Sequence, residues 1–245
     1  MTTADADHET AARAELAAWR DSVLAEPSPF AMAAKGLQMQ VNRMIPEKIH
    51  AAVTAVIEQM TRGILAGSDF VTGQPLVSGS LRERELRVRN AIAGYRNVAT
   101  AEGGVAGAGG FLLAAADFPA LIAIKIKLLF EIATLYGHDA GDWRERLYIL
   151  SIFQLAFSGV DHRKAVYLAM TEGQPPASPE DFDWRRFQQE YRDYIDLAKL
   201  AQLLPVVGAP IGAIVNWRLV EQLGETAMNA YRLRWFASHR PGRPV

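Results

Sequence analysis

Asp117 is an ionisable residue inside the apolar stretch VATAEGGVAGAGGFLLAAADFPALIAIKIKLLFEIATLY, residues 98–136. A carboxyl buried in such surroundings would titrate above its usual range and could anchor a ligand or move a proton. A carboxylate directly before Phe118-Pro119 also has the residue types of a helix N-cap, and that reading is favoured. His138-Asp139 and Asp161-His162 bring the ingredients of metal ligation or acid–base work. Neither pair has the i,i+4 spacing of an HExxH site, and both fall at expected helix ends, where capping explains the aspartates. No GxSxG elbow supports serine hydrolysis. The absence of cysteine removes thiolate nucleophiles, disulfides and cysteine-based zinc sites. No catalytic residue, metal site or cofactor is therefore expected.

The glycines at 103, 104, 107, 109 and 110 invite comparison with phosphate loops. A Walker loop would continue into Gly-Lys-Ser/Thr, which does not follow. A dinucleotide fingerprint would need a preceding strand and a third small residue where Leu112 stands. Gly103 with Gly107, and Ala106 with Gly110 and Ala114, are instead four apart. That spacing lines small residues along one helix face and lets a second backbone come close.

The elements that must hold these residues are helical. Half of the 245 residues are hydrophobic and 22% are charged, a globular composition. A net charge of −1 gives no global pull toward nucleic acid or anionic membrane. The polar, acidic start, MTTADADHETAARAELAAWR, lacks the layout of a signal peptide, so a cytoplasmic location is expected. Residues 103–116 and 200–215 are uncharged, but a spanning helix needs about 20 apolar residues. Two-pass insertion would require Asp117 at a hairpin tip, and a hairpin buried in protein is preferred.

Helices are expected over 11–25, 30–44 and from Pro46 onward, then a Gly/Ser-rich loop over 67–80. LRERELRVRN opens the next helix, and its Glu83–Arg87 and Glu85–Arg89 spacings suggest a solvated charged face. After the hairpin, Gly137 stops its second helix, Asp142 caps a helix over 143–157 and Asp161 caps one to about Met170. Helices over 182–204 and 210–236 complete an all-α, single multi-helix domain built around a Gly-rich apolar hairpin. Residues 1–45 form a lead-in, 46–238 the domain and 239–245 a tail. Tyr231, Arg232, Arg234, Trp235 and Phe236 suit a bilayer interface, a dimer surface or a core edge.

Three elements together resemble the EcsC family: the Gly-rich segment leading to Ala116-Asp117-Phe118-Pro119, the helix ending Tyr136-Gly137-His138-Asp139, and Leu204-Pro205-Val206-Val207-Gly208 continuing to Gly212 and Asn216. Pro46-Glu47-Lys48 resembles the family's early segment, and the similarity runs to about Phe236. The resemblance implies a helical bacterial protein from a family named for its association with the Ecs ABC transporter system. No family catalytic residues carry over. The best-matching positions that could face a ligand are Gly104, Gly107, Gly110, Asp117, Tyr136, Gly208, Gly212 and Asn216.

The expectation is a non-enzymatic, membrane-peripheral or lipid-binding accessory protein of a membrane or transport process, contacting the inner face of the membrane. Its expected partners are a lipid or apolar small molecule and a second copy of itself. One alternative is a hydrolase-type enzyme using Asp117 with His138 and Asp139. Another is an oligomeric scaffold formed through the C-terminal helix.

Overall fold

The computed structural model describes residues 2–26, 61–64, 73–108, 110–172, 182–187, 189–190 and 208–239; the side chains of 102–121, 208–213 and 215 lie outside that description. Among the described residues lie the helices α1 (Thr3–Leu24), α2 (Leu81–Ala108), α3 (Gly110–Leu135), α4 (Trp143–Phe157), α5 (Val160–Thr171) and α6 (Gly208–Ser238). No strand occurs among the described residues. The helices expected over 30–44 and 46–60, the segment 191–207 and the tail after 239 lie outside them.

Local chemistry sets the helix starts. Thr2 and Asp5 form a reciprocal capping box that starts α1 well before Ala11, where apolar periodicity alone would begin it. Ser80 and Glu83 repeat the device at α2: the Glu83 amide donates to Ser80 Oγ, and the Ser80 amide donates to Glu83 Oε2. Asp142 caps α4 as expected, accepting from the Arg144 amide at 2.9 Å. Asp161 does not cap α5. Gly159 stands at that cap, with its amide donating to Glu190 Oε2, and Asp161 falls in the first turn.

Helix α3 runs without a break from Gly110 through Asp117-Phe118-Pro119 to Leu135. The expected break at Asp117 is therefore absent, and α2 gives way to α3 between Ala108 and Gly110. A proline inside a helix forfeits one backbone hydrogen bond at a cost of about 3 kcal/mol. The far end of α3 stops as its sequence indicates. The Gly137 amide donates to Thr134 O and the His138 amide to Ala133 O, a Schellman closure with Gly137 at φ +90°. A Cβ at Gly137 would stand 2.8 Å from Leu76 O, so a side chain fits neither the backbone angle nor the space.

Helices α2 and α6 make the most extensive contact and run antiparallel. Arg232 reaches Glu85, Gly224 faces Ile92, and Glu221 pairs with Arg96. A Cβ at Gly224 would sit 2.6 Å from Ile92, so the glycine is what lets the two helices approach. Helix α3 folds back along α2, with Tyr136 beside Glu85 and Glu131 beside Tyr95. Helix α4 fills the centre; Leu147 and every residue from Ile149 to Phe157 are buried, as suits an all-round apolar helix. Helix α1 closes the molecule against α2, α5 and α6, inserting Ala12 and Leu16 into the main core.

Candidate functional site

One end of the bundle is locked by buried charge. Helix α2 carries Leu81, Glu85, Val88 and Ile92 on one stripe, so Glu85 is as buried as its apolar neighbours. Arg232 on α6 donates Nε to Glu85 Oε1 at 2.6 Å and Nη2 to Oε2 at 2.7 Å. The Tyr136 hydroxyl donates to Oε1 at 3.2 Å, and His8 Nε2 lies 3.1 Å from Oε2. Burial pushes the Glu85 carboxyl up, but the Arg232 guanidinium outweighs it and holds the group below its usual range. Burial and the same carboxylate hold the Tyr136 phenol well above its ordinary value.

A second carboxylate lies beside the first network. Glu145 accepts from the Tyr231 hydroxyl and from Arg234 Nη1, each at 2.6 Å. Tyr231 stacks between Tyr136 and His138, both centroids at 5.2 Å. Arg84, expected on a solvated face, is buried and donates to the carbonyls of Leu76, Gly79 and Leu135. At the charged start of α2, Arg84 and Glu85 thus join helices, whereas Arg82, Glu83, Arg87 and Arg89 stay exposed as expected, and the C-terminal cluster Tyr231–Phe236 is a core edge. Every carboxylate oxygen here has a donor. The arrangement performs a structural task.

Along α2, α3 and α6 the opposite end is free of charged residues. From Gly109 the first charged residue back along α2 is Glu102, and the first forward along α3 is Asp117. At 1.5 Å per residue each is about 10 Å from that point. The first charge on α6 is Arg218, about 15 Å from Gly208. Ile214 is 56% exposed, Val98 51% and Trp217 39%, and the Arg96 guanidinium covers the Trp217 ring at 4.7 Å. One buried polar group belongs to this half: Asn216 Nδ2 has no hydrogen-bond partner among the described residues. Lys125, whose ammonium burial alone lowers to about 8, lies nearer the Leu135 end of α3.

Of the residues singled out from sequence, Gly104, Gly107, Gly110, Asp117, Gly208, Gly212 and Asn216 occupy the uncharged half of their helices. Tyr136 does not join them: about 38 Å of helix separates Gly110 from Leu135. Asp117 is likewise about 27 Å along α3 from Leu135, beyond which His138 and Asp139 lie. Asp139 caps a local turn by accepting from the Gly141 amide, and His138 packs on Tyr231. Asp117 and the His138-Asp139 pair therefore do not share a cleft, and the hydrolase arrangement is withdrawn. Among the described residues no three metal-ligating side chains come together, and no helix is long and apolar enough to cross a membrane. Sequence reasoning missed Glu85, Glu145, His8 and Glu15. The signal for Glu85 was its place in the Leu81–Val88–Ile92 stripe.

The model of the EcsC protein family matches residues 10–236. The chain is 45% identical to "Protein EcsC" of Bacillus subtilis (strain 168) over 217 residues, 88% of this chain and 91% of that protein. It is 25% identical to "Uncharacterized protein YdbA" of the same organism over 219 residues, 79% and 80% of the two chains. No solved structure matches. The family match takes in most of α1, which the motif-level resemblance, beginning at Pro46, left out. With a match over nearly its whole length, the chain belongs to the EcsC protein family.

Proposed function

We propose that the protein is a non-enzymatic, membrane-peripheral member of its family whose uncharged end enters the boundary between lipid headgroups and acyl chains. The observation that carries this reading is the depth of the charge-free cap. Glu102 and Asp117 bound it at about 10 Å on the two arms of the hairpin. Interfacial elements bury about 5–10 Å, whereas a span must cross about 30 Å. Trp217 with Arg96 over its ring, and Arg218 next to it, have the residue types of an interfacial rim just below the cap. Ile214 and Val98 add exposed apolar surface that water does not favour. An unpartnered asparagine amide nearby offers a donor to a headgroup oxygen. Service to a transport process follows from the family resemblance alone.

Flotation with phosphatidylglycerol/phosphatidylethanolamine vesicles tests the reading. The wild-type chain should float, and Ile214→Asp, an exposed substitution, should remain at the bottom of the gradient with unchanged circular dichroism. A chain that ignores vesicles of every composition, and carries no lipid in native mass spectrometry, would overturn it.

A further inference from the structure

The end of the molecule remote from the cap holds a feature that the proposed membrane contact does not use. Helices α1, α4, α5 and the last turns of α6 wall a cleft of about 440 Å³ that opens to solvent. That volume lies in the range of small-molecule sites. Leu16, Leu233 and Met170 give it an apolar lining, while Arg13, Arg20 and Arg234 supply three guanidiniums; no carboxylate lines it. Two of those cations are held by rings. Arg13 lies 3.8 Å from the centroid of Phe236, and Arg234 lies 4.5 Å from that of Tyr148. Arg234 is also gripped by Glu145 through Nη1, which leaves the rest of its donor fork for another acceptor. Among the described residues Arg20 meets only the exposed carboxylate of its neighbour Asp21, at 3.4 Å. Among the described residues Arg13 has no carboxylate within ion-pair distance. The acidic groups nearby are Glu145, whose two oxygens are already taken by Tyr231 and Arg234, and Asp21 and Glu172 close to Tyr167.

Guanidiniums on the wall of an apolar cleft suit a ligand with one charged head and an apolar body. Arg forks match carboxylate and phosphate oxygens, and the lining hides hydrocarbon from water. We propose that this cleft binds a single-chain amphiphilic anion, its carboxylate or phosphate head at Arg13, Arg20 and Arg234 and its apolar body between α1, α5 and α6. The site is separate from the lipid-facing cap. Asn216 and Arg234 are eighteen residues apart on α6, about 27 Å along the helix.

Dodecyl phosphate, below its micelle concentration, is the probe. Binding is read by calorimetry and by the fluorescence of Trp19, whose ring lies 5.8 Å from Tyr167 at the cleft. Dodecyl phosphate should bind, dodecanol and dodecyltrimethylammonium should bind at least about tenfold more weakly, and inorganic phosphate should fail to compete at tenfold excess. Arg13→Glu should weaken dodecyl phosphate by about tenfold or more, and Ala17→Trp, on an exposed position of the wall, should block it. Both are surface positions, and thermal melts check that the fold persists. Dodecanol binding as tightly as dodecyl phosphate would overturn the proposal, as would competition by inorganic phosphate alone or full binding by Ala17→Trp. Ile214→Asp must leave dodecyl phosphate binding unchanged and Ala17→Trp must leave vesicle flotation unchanged. These two arms separate a failure here from a failure of the membrane contact; loss of dodecyl phosphate binding in Ile214→Asp would place the ligand at the cap and overturn the cleft.

Discussion

Replacing Glu85 with alanine removes the carboxylate around which four elements meet. Its oxygens accept from Arg232 at 2.6 and 2.7 Å and from Tyr136 at 3.2 Å, with His8 at 3.1 Å. Stripping one partner from a buried ion pair costs about 3–5 kcal/mol, because the remaining charge is left without compensation. Arg232 is only 2% exposed, so water cannot reach it easily. It does retain Glu15 at 2.8 Å and the Asn229 side-chain oxygen at 3.2 Å, which places the expected loss at the lower end, about 3 kcal/mol. For a chain of this size that corresponds to about 6–12 °C in thermal midpoint. The double variant Glu85→Leu/Arg232→Met should be nearly neutral, since a well-packed apolar pair avoids desolvating both charges. Urea and thermal unfolding followed by circular dichroism measure all three chains. A loss under about 1 kcal/mol for Glu85→Ala, or a double variant as unstable as the single one, would refute this account of the joint.

Three further outcomes follow from the same geometry. Gly224→Ala should destabilise by about 1–3 kcal/mol, because its Cβ would meet Ile92 at 2.6 Å, and Ile92→Ala in the same chain should relieve part of that loss in urea unfolding. Burial holds His138 and His162 below the usual histidine value of 6.5, so in each the unfolded chain takes up a proton first. Stability is then full above about pH 6.5 and declines as pH falls through the lowered folded values; urea midpoints at about pH 8 and pH 5 should differ, and less so in His162→Gln. Glu85 adds a second decline at lower pH, since its depressed carboxyl stabilises the fold above about pH 4.5 and loses that effect as pH drops through its folded value. A Glu85→Gln chain should lack that acid limb.

Much of the fold could be read from residue types. Asp142 before Trp143 and Gly137 after Tyr136 signalled helix ends that local hydrogen bonds enforce. A proline after an aspartate looks like a helix start, which is why a break is expected at Asp117, whereas α3 continues through it. Helix α1 was started late because periodicity of apolar residues is silent about a capping box made by Thr2 and Asp5. The ionic joint was hidden for a different reason. Glu85 and Arg232 are 147 positions apart, and i,i+4 spacing offered Arg89 as a nearer but weaker partner, 3.8 Å away. Only the burial of Leu81 and Val88 on the same stripe discloses where Glu85 points. The cleft at Arg13, Arg20 and Arg234 joins residues from opposite ends of the chain and left no local pattern.

The chain has no cysteine, so a single one can report depth without interference. Ile214→Cys and, at the opposite end, Asp139→Cys would each carry an environment-sensitive fluorophore, titrated with anionic vesicles containing a lipid-borne quencher. The account predicts a blue shift and strong quenching at position 214 and neither at 139. No change at 214 with any lipid, or equal changes at both positions, would contradict it.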